Sequence, residues 1–149
     1  MTYQIGVLMD PIETINPKKD STLAMMLAAQ SRGWKVSYFT QSDLSIANGE
    51  VLIRSRGVTL SDDQENWFEV VTDSVISAKE FDVVLMRIDP PFDMEYVYAT
   101  YLLESIELSG VPVLNRPGSI RDCNEKLFAL RFPNCCPQHL VSRDPAQLK

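Results

Sequence analysis

The sequence predicts a single α/β domain built on a mainly parallel sheet. Two short apolar runs, Ile5-Gly6-Val7-Leu8-Met9 and Val83-Val84-Leu85-Met86, read as strands buried on both faces, the pattern of parallel sheets. Between the first run and Val36–Thr40 lies one stretch with helical spacing, and strand, helix and strand in that order form a right-handed crossover unit. The length of 149 residues suits one domain with a real core.

The elements follow in order. Asp10-Pro11 ends the first strand, because proline cannot continue a central ladder. A polar loop runs to about Lys19, and Asp20 or Ser21 is placed to cap a helix. Leu23, Met26, Leu27 and Gln30 share one helical face, and Gly33 stands where a terminating glycine belongs. Asn48-Gly49, flanked by Leu44/Ile46 and Val51/Ile53, signals a β-hairpin excursion. Val51–Leu60 is expected to hold one or two edge strands, with Arg54 and Arg56 protecting the edge. Residues 61–66 read as a loop, Trp67–Val71 as a short strand and Ser74–Lys79 as a turn or weak helix.

After the strand Val83–Met86, Asp93 is placed to cap a helix reaching about Leu108, with Val97, Tyr98, Tyr101, Leu102 and Ile106 on its apolar face. Gly110 closes it, and Val111–Leu114 forms a fourth short strand. Ser119–Arg121 and Asn124–Arg131 look helical, His139–Ser142 is a candidate last strand, and residues 143–148 read as a loop opening a helix.

Composition excludes several classes of function. Twenty acids against 14 bases give a net charge of -6, against a nucleic-acid or anionic-membrane partner. Residues 61–110 hold twelve acids and two bases, one of them Arg87. No apolar run has the length of a membrane span, and the N-terminus makes a poor signal peptide, so a soluble cytoplasmic protein is expected. Cys123, Cys135 and Cys136 have neither disulfide-framework nor zinc spacing and are expected to be packing thiols. Neither a dinucleotide fingerprint nor a P-loop is present, and the first loop, Asp10–Asp20, contains no glycine to let a backbone approach a phosphate. There is no G-x-S-x-G elbow, and a lone His139 does not make a His-based metal site.

Three strands end alike, in Met9-Asp10-Pro11, Ile88-Asp89-Pro90 and Leu114-Asn115-Arg116-Pro117. Each sets polar groups beside a proline at a strand's carboxyl end, where ligands bind in open α/β sheets. Asp10, Arg87, Asp89, Asn115 and Arg116 are therefore expected to converge on one edge. The alternative is that these are ordinary turn punctuation. On residues alone, the chain is a small-molecule-binding α/β domain without a complete catalytic constellation.

Three stretches resemble the amino-terminal half of bacterial glutathione synthetases, which are ATP-grasp ligases. They are GVLMDPIETINPKKDST at 6–22, VLMRIDPPFDMEYVYATYLLE at 84–104 and NRPGSIRDCNEKLFAL at 115–130. The resemblance is weakest over 44–80. It implies a Rossmann-like pre-ATP-grasp domain over residues 1–122, and over 123–149 a linker and the truncated start of the ATP-grasp module. It implies that the intact enzyme joins γ-glutamylcysteine to glycine with ATP and Mg²⁺, through an acyl phosphate, and that the missing C-terminal half holds the metal ligands.

On the same resemblance Lys126 would reach the nucleotide, and Arg87, Asp89, Asp10, Ser21 and Asn115 would serve the dipeptide. A guanidinium at Arg87 suits a carboxylate; an ion pair with Asp89 or Asp10 is its alternative. Ile88 and Arg116 stand where the family pattern leads one to expect lysine. The resemblance also implies a homo-oligomer, and no catalytic residue or metal ligand within these 149 residues. A stand-alone binding or oligomerisation module is the competing reading. A phosphoacceptor signalling domain is disfavoured, because Asp10 is the only acid directly after the first strand.

Overall fold

A computed structural model describes residues 2–148. Its one sheet has seven strands: β1 (Gln4–Leu8), β2 (Lys35–Phe39), β3 (Leu44–Ala47), β4 (Glu50–Leu60), β5 (Phe68–Ser77), β6 (Val83–Met86) and β7 (Val113–Leu114). Four helices accompany it: α1 (Ser21–Gln30), α2 (Met94–Leu108), α3 (Pro117–Asp122) and α4 (Glu125–Phe128). β2, β1, β6 and β7 are neighbours in that order and parallel throughout. β4 instead pairs antiparallel with β2, β3 and β5, so the Rossmann-like α/β fold is as expected and its sheet is mixed, not purely parallel.

The parallel half follows from its apolar runs. Ile5, Val7 and Met9 face α1 with Leu23, Met26, Val36 and Tyr38, while Leu8, Phe39, Val84 and Met86 face α2 with Ala99, Leu103 and Ile106. Alternate residues of one strand thus feed two cores, which is why these runs carry no polar positions. Asp20 caps α1 by accepting from the Leu23 amide at 2.7 Å, and Asp93 caps α2 by accepting from the Tyr96 amide at 2.9 Å. Gly33 and Gly110 take φ of 75° and 102° after the two helices, a conformation that favours glycine.

The antiparallel half departs from expectation in three ways. β4 is an inner strand, not an edge. Leu52 and Ile53 pair with β3 on one side and β5 on the other, and Arg56 and Gly57 likewise with β2 and β5. Arg54 and Arg56 do not shield an edge; they form ion pairs with Asp73 and Asp43 at 2.8 and 2.7 Å. Unbroken alternation along β4 puts Val51 and Ile53 in the α2-side core and Val58 and Leu60 in the α1-side core, while the bulge opposite Gly57/Val58 falls on β5, at Val71. Finally, residues 74–77 extend β5 rather than forming a turn, because cross-strand pairing with Leu52–Ser55 outweighs local propensity.

Elsewhere the hairpin at Asn48-Gly49 forms as expected, with φ of 52° and 79°. The buried face of α2 is Ala99, Thr100, Leu103 and Ile106, whereas Tyr98 and Tyr101 are exposed. Residues 139–142 form no strand. Cys135 is exposed and Cys123 and Cys136 half-buried, so the three free thiols are not fully packed groups. Among the described residues no helix is long and apolar enough to cross a membrane.

Candidate functional site

The sheet changes direction between β1 and β6. From β1 the chain crosses through α1 to β2 on one side; from β6 it crosses through α2 to β7 on the other, over the opposite face. The connections leaving the carboxyl ends of β1 and β6 run over opposite faces there, which makes it a topological switch point. A cleft of about 400 Å³ opens at this place, lined by the β1–α1 loop, the first turn of α1 and the segment after β6.

Arg87 leaves β6 on the α1 side. Its backbone amide extends the ladder by donating to the Leu8 carbonyl at 2.7 Å. Its guanidinium donates from Nε to Thr22 Oγ1 at 3.1 Å and from Nη2 to Ser21 Oγ at 2.8 Å. Thr22 is buried and Ser21 exposed, so the pair of hydroxyls fixes the fork from beneath and leaves its outer donors toward the cleft. Among the described residues, Arg87 has no carboxylate within ion-pair distance, which removes the expected alternative of a bridge to Asp10 or Asp89. A half-buried guanidinium oriented by neutral hydroxyls keeps its full charge for an anion, and the start of α1 adds its positive end.

Asp10 closes the other side. Its Oδ2 accepts from the Asp89 amide at 3.0 Å, tying the ends of β1 and β6 together. Asp10, Asp20 and Asp89 supply negative charge to the lining, and Lys19 and Arg87 positive charge. Beyond Asp10 and Asp89, the Tyr96 phenol is pushed above its ordinary value, first by burial and then by those two carboxylates. A cleft with both signs of charge suits a ligand that carries both an ammonium and a carboxylate.

Four of the expected residues therefore meet: Asp10, Ser21, Arg87 and Asp89 all line one cleft. Asn115 and Lys126 do not. Asn115 is exposed just after β7, and Lys126 sits in the first turn of α4, its amide donating to Asn124 Oδ1 at 3.1 Å. Ile88 turns to the other face of the sheet and packs against the α2-side core, so a longer basic side chain there would start from the side opposite Arg87. Arg116 is exposed and lies 3.5 Å from Glu107. Sequence reasoning missed Thr22, Asn16 and Lys19 as lining residues. The available signal was the adjacent hydroxyl pair Ser21-Thr22 directly after a capping Asp, facing a strand that ends in arginine.

Among the described residues no group of three or more His, Cys, Asp or Glu is arranged to hold a metal ion.

Residues 3–121 match the family model described as the prokaryotic glutathione synthetase N-terminal domain. The chain is 52% identical over 145 residues to a glutathione synthetase of Pseudomonas putida, covering 97% of this chain and 46% of the relative. It is 46% identical over 149 residues to that of Vibrio vulnificus, covering 100% of this chain and 47% of the relative. With that of Escherichia coli O157:H7 it shares 47% identity over 146 residues, 98% of this chain and 46% of the relative. The chain spans about half the length of these relatives. Its match over 3–121 and its identity to these relatives place it in the prokaryotic glutathione synthetase N-terminal domain family.

Proposed function

We propose that this chain is the substrate-side domain of a glutathione synthetase whose intact form ligates γ-glutamylcysteine to glycine at the expense of ATP. The observation that carries the reading is Arg87, a guanidinium oriented by Ser21 and Thr22 and left without a carboxylate at the mouth of a mixed-charge cleft. γ-Glutamylcysteine brings two carboxylates and one ammonium. Arg87 and Lys19 hold a carboxylate, and Asp10, Asp20 or Asp89 receives the ammonium. In the intact reaction the cysteinyl carboxylate takes a phosphoryl group from ATP, ADP leaves, and the glycine amine displaces phosphate. The role of this domain is to hold and orient the dipeptide, the positioning on which phosphoryl transfer depends.

ATP and Mg²⁺ belong to the half beyond residue 149, with Lys126 lent to the nucleotide from the linker at 123–149. The break after residues 1–122 is supported by the family match ending at 121 and by the exposed Leu127, Leu130 and Phe132 beyond it. Self-association is part of it as well: β5 is an outer strand with exposed Val71 and Val75, a surface suited to pairing with a second copy.

The test is a titration of the chain with γ-glutamylcysteine, followed by backbone amide shifts. Shifts at Ser21, Thr22, Arg87 and Asp89 are expected. Arg87→Met should weaken binding by about 10- to 100-fold, the value of a charge-assisted hydrogen bond of roughly 1.5–3 kcal/mol. Shifts confined to other surfaces, or an unchanged affinity in Arg87→Met, would refute the reading.

A further inference from the structure

The β1–α1 loop forms one wall of the cleft; Asp10 at its start is tied to the Asp89 amide, but from Pro11 to Asp20 the backbone hydrogen bonds within the loop are those of turns. The Thr14 amide donates to the Pro11 carbonyl at 2.8 Å, and the Lys19 and Asp20 amides both donate to the Asn16 carbonyl at 3.0 Å. A backbone stretch held mainly by local bonds opens readily. This one nonetheless carries Thr14, Asn16 and Lys19 into the wall.

A tie comes from far along the chain. The indole Nε1 of Trp67 donates to the Ile12 carbonyl at 3.3 Å, across 55 residues of sequence. Ile12 is fully buried, and the Trp67 and Phe68 rings pack against the core that it enters. Trp67 is itself held. The Asp63 carboxylate accepts from the Glu65 and Asn66 amides at 2.7 and 3.0 Å, and those bonds keep its carboxyl below the ordinary value. The Ser61 amide donates to the Trp67 carbonyl at 3.0 Å. At the end of β4, the Gln30 side chain both donates to the Leu60 carbonyl and accepts from the Leu60 amide, at 2.7 Å each. The tip of the β4–β5 hairpin is thus fastened to α1, and Trp67 reaches from it to the loop.

We propose that Trp67 is a positioning residue: its indole N–H holds the β1–α1 loop in the shape that completes the cleft, and the β4–β5 hairpin is the clamp that presents it. The consequence for ligand affinity rests on the reading of the cleft given above; the ordering of the loop does not.

Trp67→Phe keeps an aromatic ring and removes the N–H. Amide hydrogen exchange on the chain should quicken about two- to tenfold at Thr14, Lys19 and Asp20, the effect of one neutral hydrogen bond. The amides of β1 and β6 should be unchanged. Unaltered exchange in the loop overturns the proposal. So does an equal acceleration across the sheet, which would make Trp67 a packing residue only. A second measurement needs no variant. In the unsubstituted chain the Trp67 indole proton should exchange more slowly than a free indole, with the denaturant dependence of the Thr14 amide. Exchange at the free rate overturns the proposal. Binding of γ-glutamylcysteine should weaken several-fold in Trp67→Phe. If the unsubstituted chain does not bind the dipeptide, the reading of the cleft fails while the exchange results still decide the clamp.

Discussion

Replacing Asp43 with Asn would remove the charge at the centre of the antiparallel half while keeping the side chain's shape. The Asp43 carboxylate is 6% exposed and accepts four hydrogen bonds. The Thr40 amide and hydroxyl donate at 2.7 Å each, and Arg56 donates from Nη1 and Nη2 at 2.7 and 2.9 Å. The Arg56 guanidinium also lies over the Tyr38 ring, 5.5 Å from its centre. An asparagine amide accepts through one oxygen only and presents N–H groups to donors where the other oxygen was. Removing one partner of a well-buried pair costs about 3–5 kcal/mol. Here Arg56 is one-fifth exposed and has Asp73 4.0 Å away as a second partner, which brings the expected loss to about 2–3 kcal/mol. For a chain of this size that is a fall in Tm of about 5–10 °C.

The same pair sets a pH dependence. Burial pushes the Asp43 carboxyl up, but the hydrogen bonds from Arg56 and Thr40 outweigh it and hold the group below its ordinary value. The unfolded state therefore binds a proton more readily than the folded one. The stabilisation is present above the ordinary carboxylate pKa and is lost as the pH falls through the depressed folded value. Urea titrations of both proteins between pH 7 and pH 3 measure this. The two stability curves should converge toward the acid end. A difference at pH 7 below about 1 kcal/mol, or one that does not shrink in acid, would refute the argument from this pair.

Other substitutions probe single features of the fold. At Gly6 a β-carbon would stand 3.0 Å from Phe81 Cε2 and 3.1 Å from Phe39 Cε1, so Gly6→Ala should cost about 1–2 kcal/mol of unfolding free energy as two buried rings give way. Gly49→Ala forces a β-carbon into φ of 79° and should destabilise the hairpin by about 1–2 kcal/mol, read from thermal unfolding. Asp93→Ala removes the cap of α2 and should lower stability by about 0.5–2 kcal/mol, with faster exchange confined to the helix's first turn.

The parallel half was open to reading because its signals are local. A run such as Val83–Met86 is buried on both faces whatever lies beside it, and Asp20 and Asp93 cap their helices through bonds spanning three residues. The face of α2 was less open. Tyr98 and Tyr101 count as apolar in a pattern but carry hydroxyls that favour the surface, whereas Thr100 is buried because its hydroxyl is satisfied by the Val97 carbonyl at 2.6 Å and by Arg121 at 3.0 Å. Ala99 then lets the helix sit close to the sheet.

The sequence by itself determined the crossover units, the hairpin at Asn48-Gly49, the family, and the set Asp10, Ser21, Arg87 and Asp89 as the groups to watch. These follow from spacing along the chain and from motifs that lie within it. Only the tertiary structure decided that β4 is inner, that β5 runs ten residues, that Asn115 stands apart from the cleft, and that Arg87 rests on two hydroxyls instead of a carboxylate. Such features depend on partners many residues away, 65 and 66 for the two bonds of Arg87, as does the tie from Trp67 to Ile12 across 55. Local pattern carries no record of such pairings, because they are selected by how whole strands and helices pack against one another.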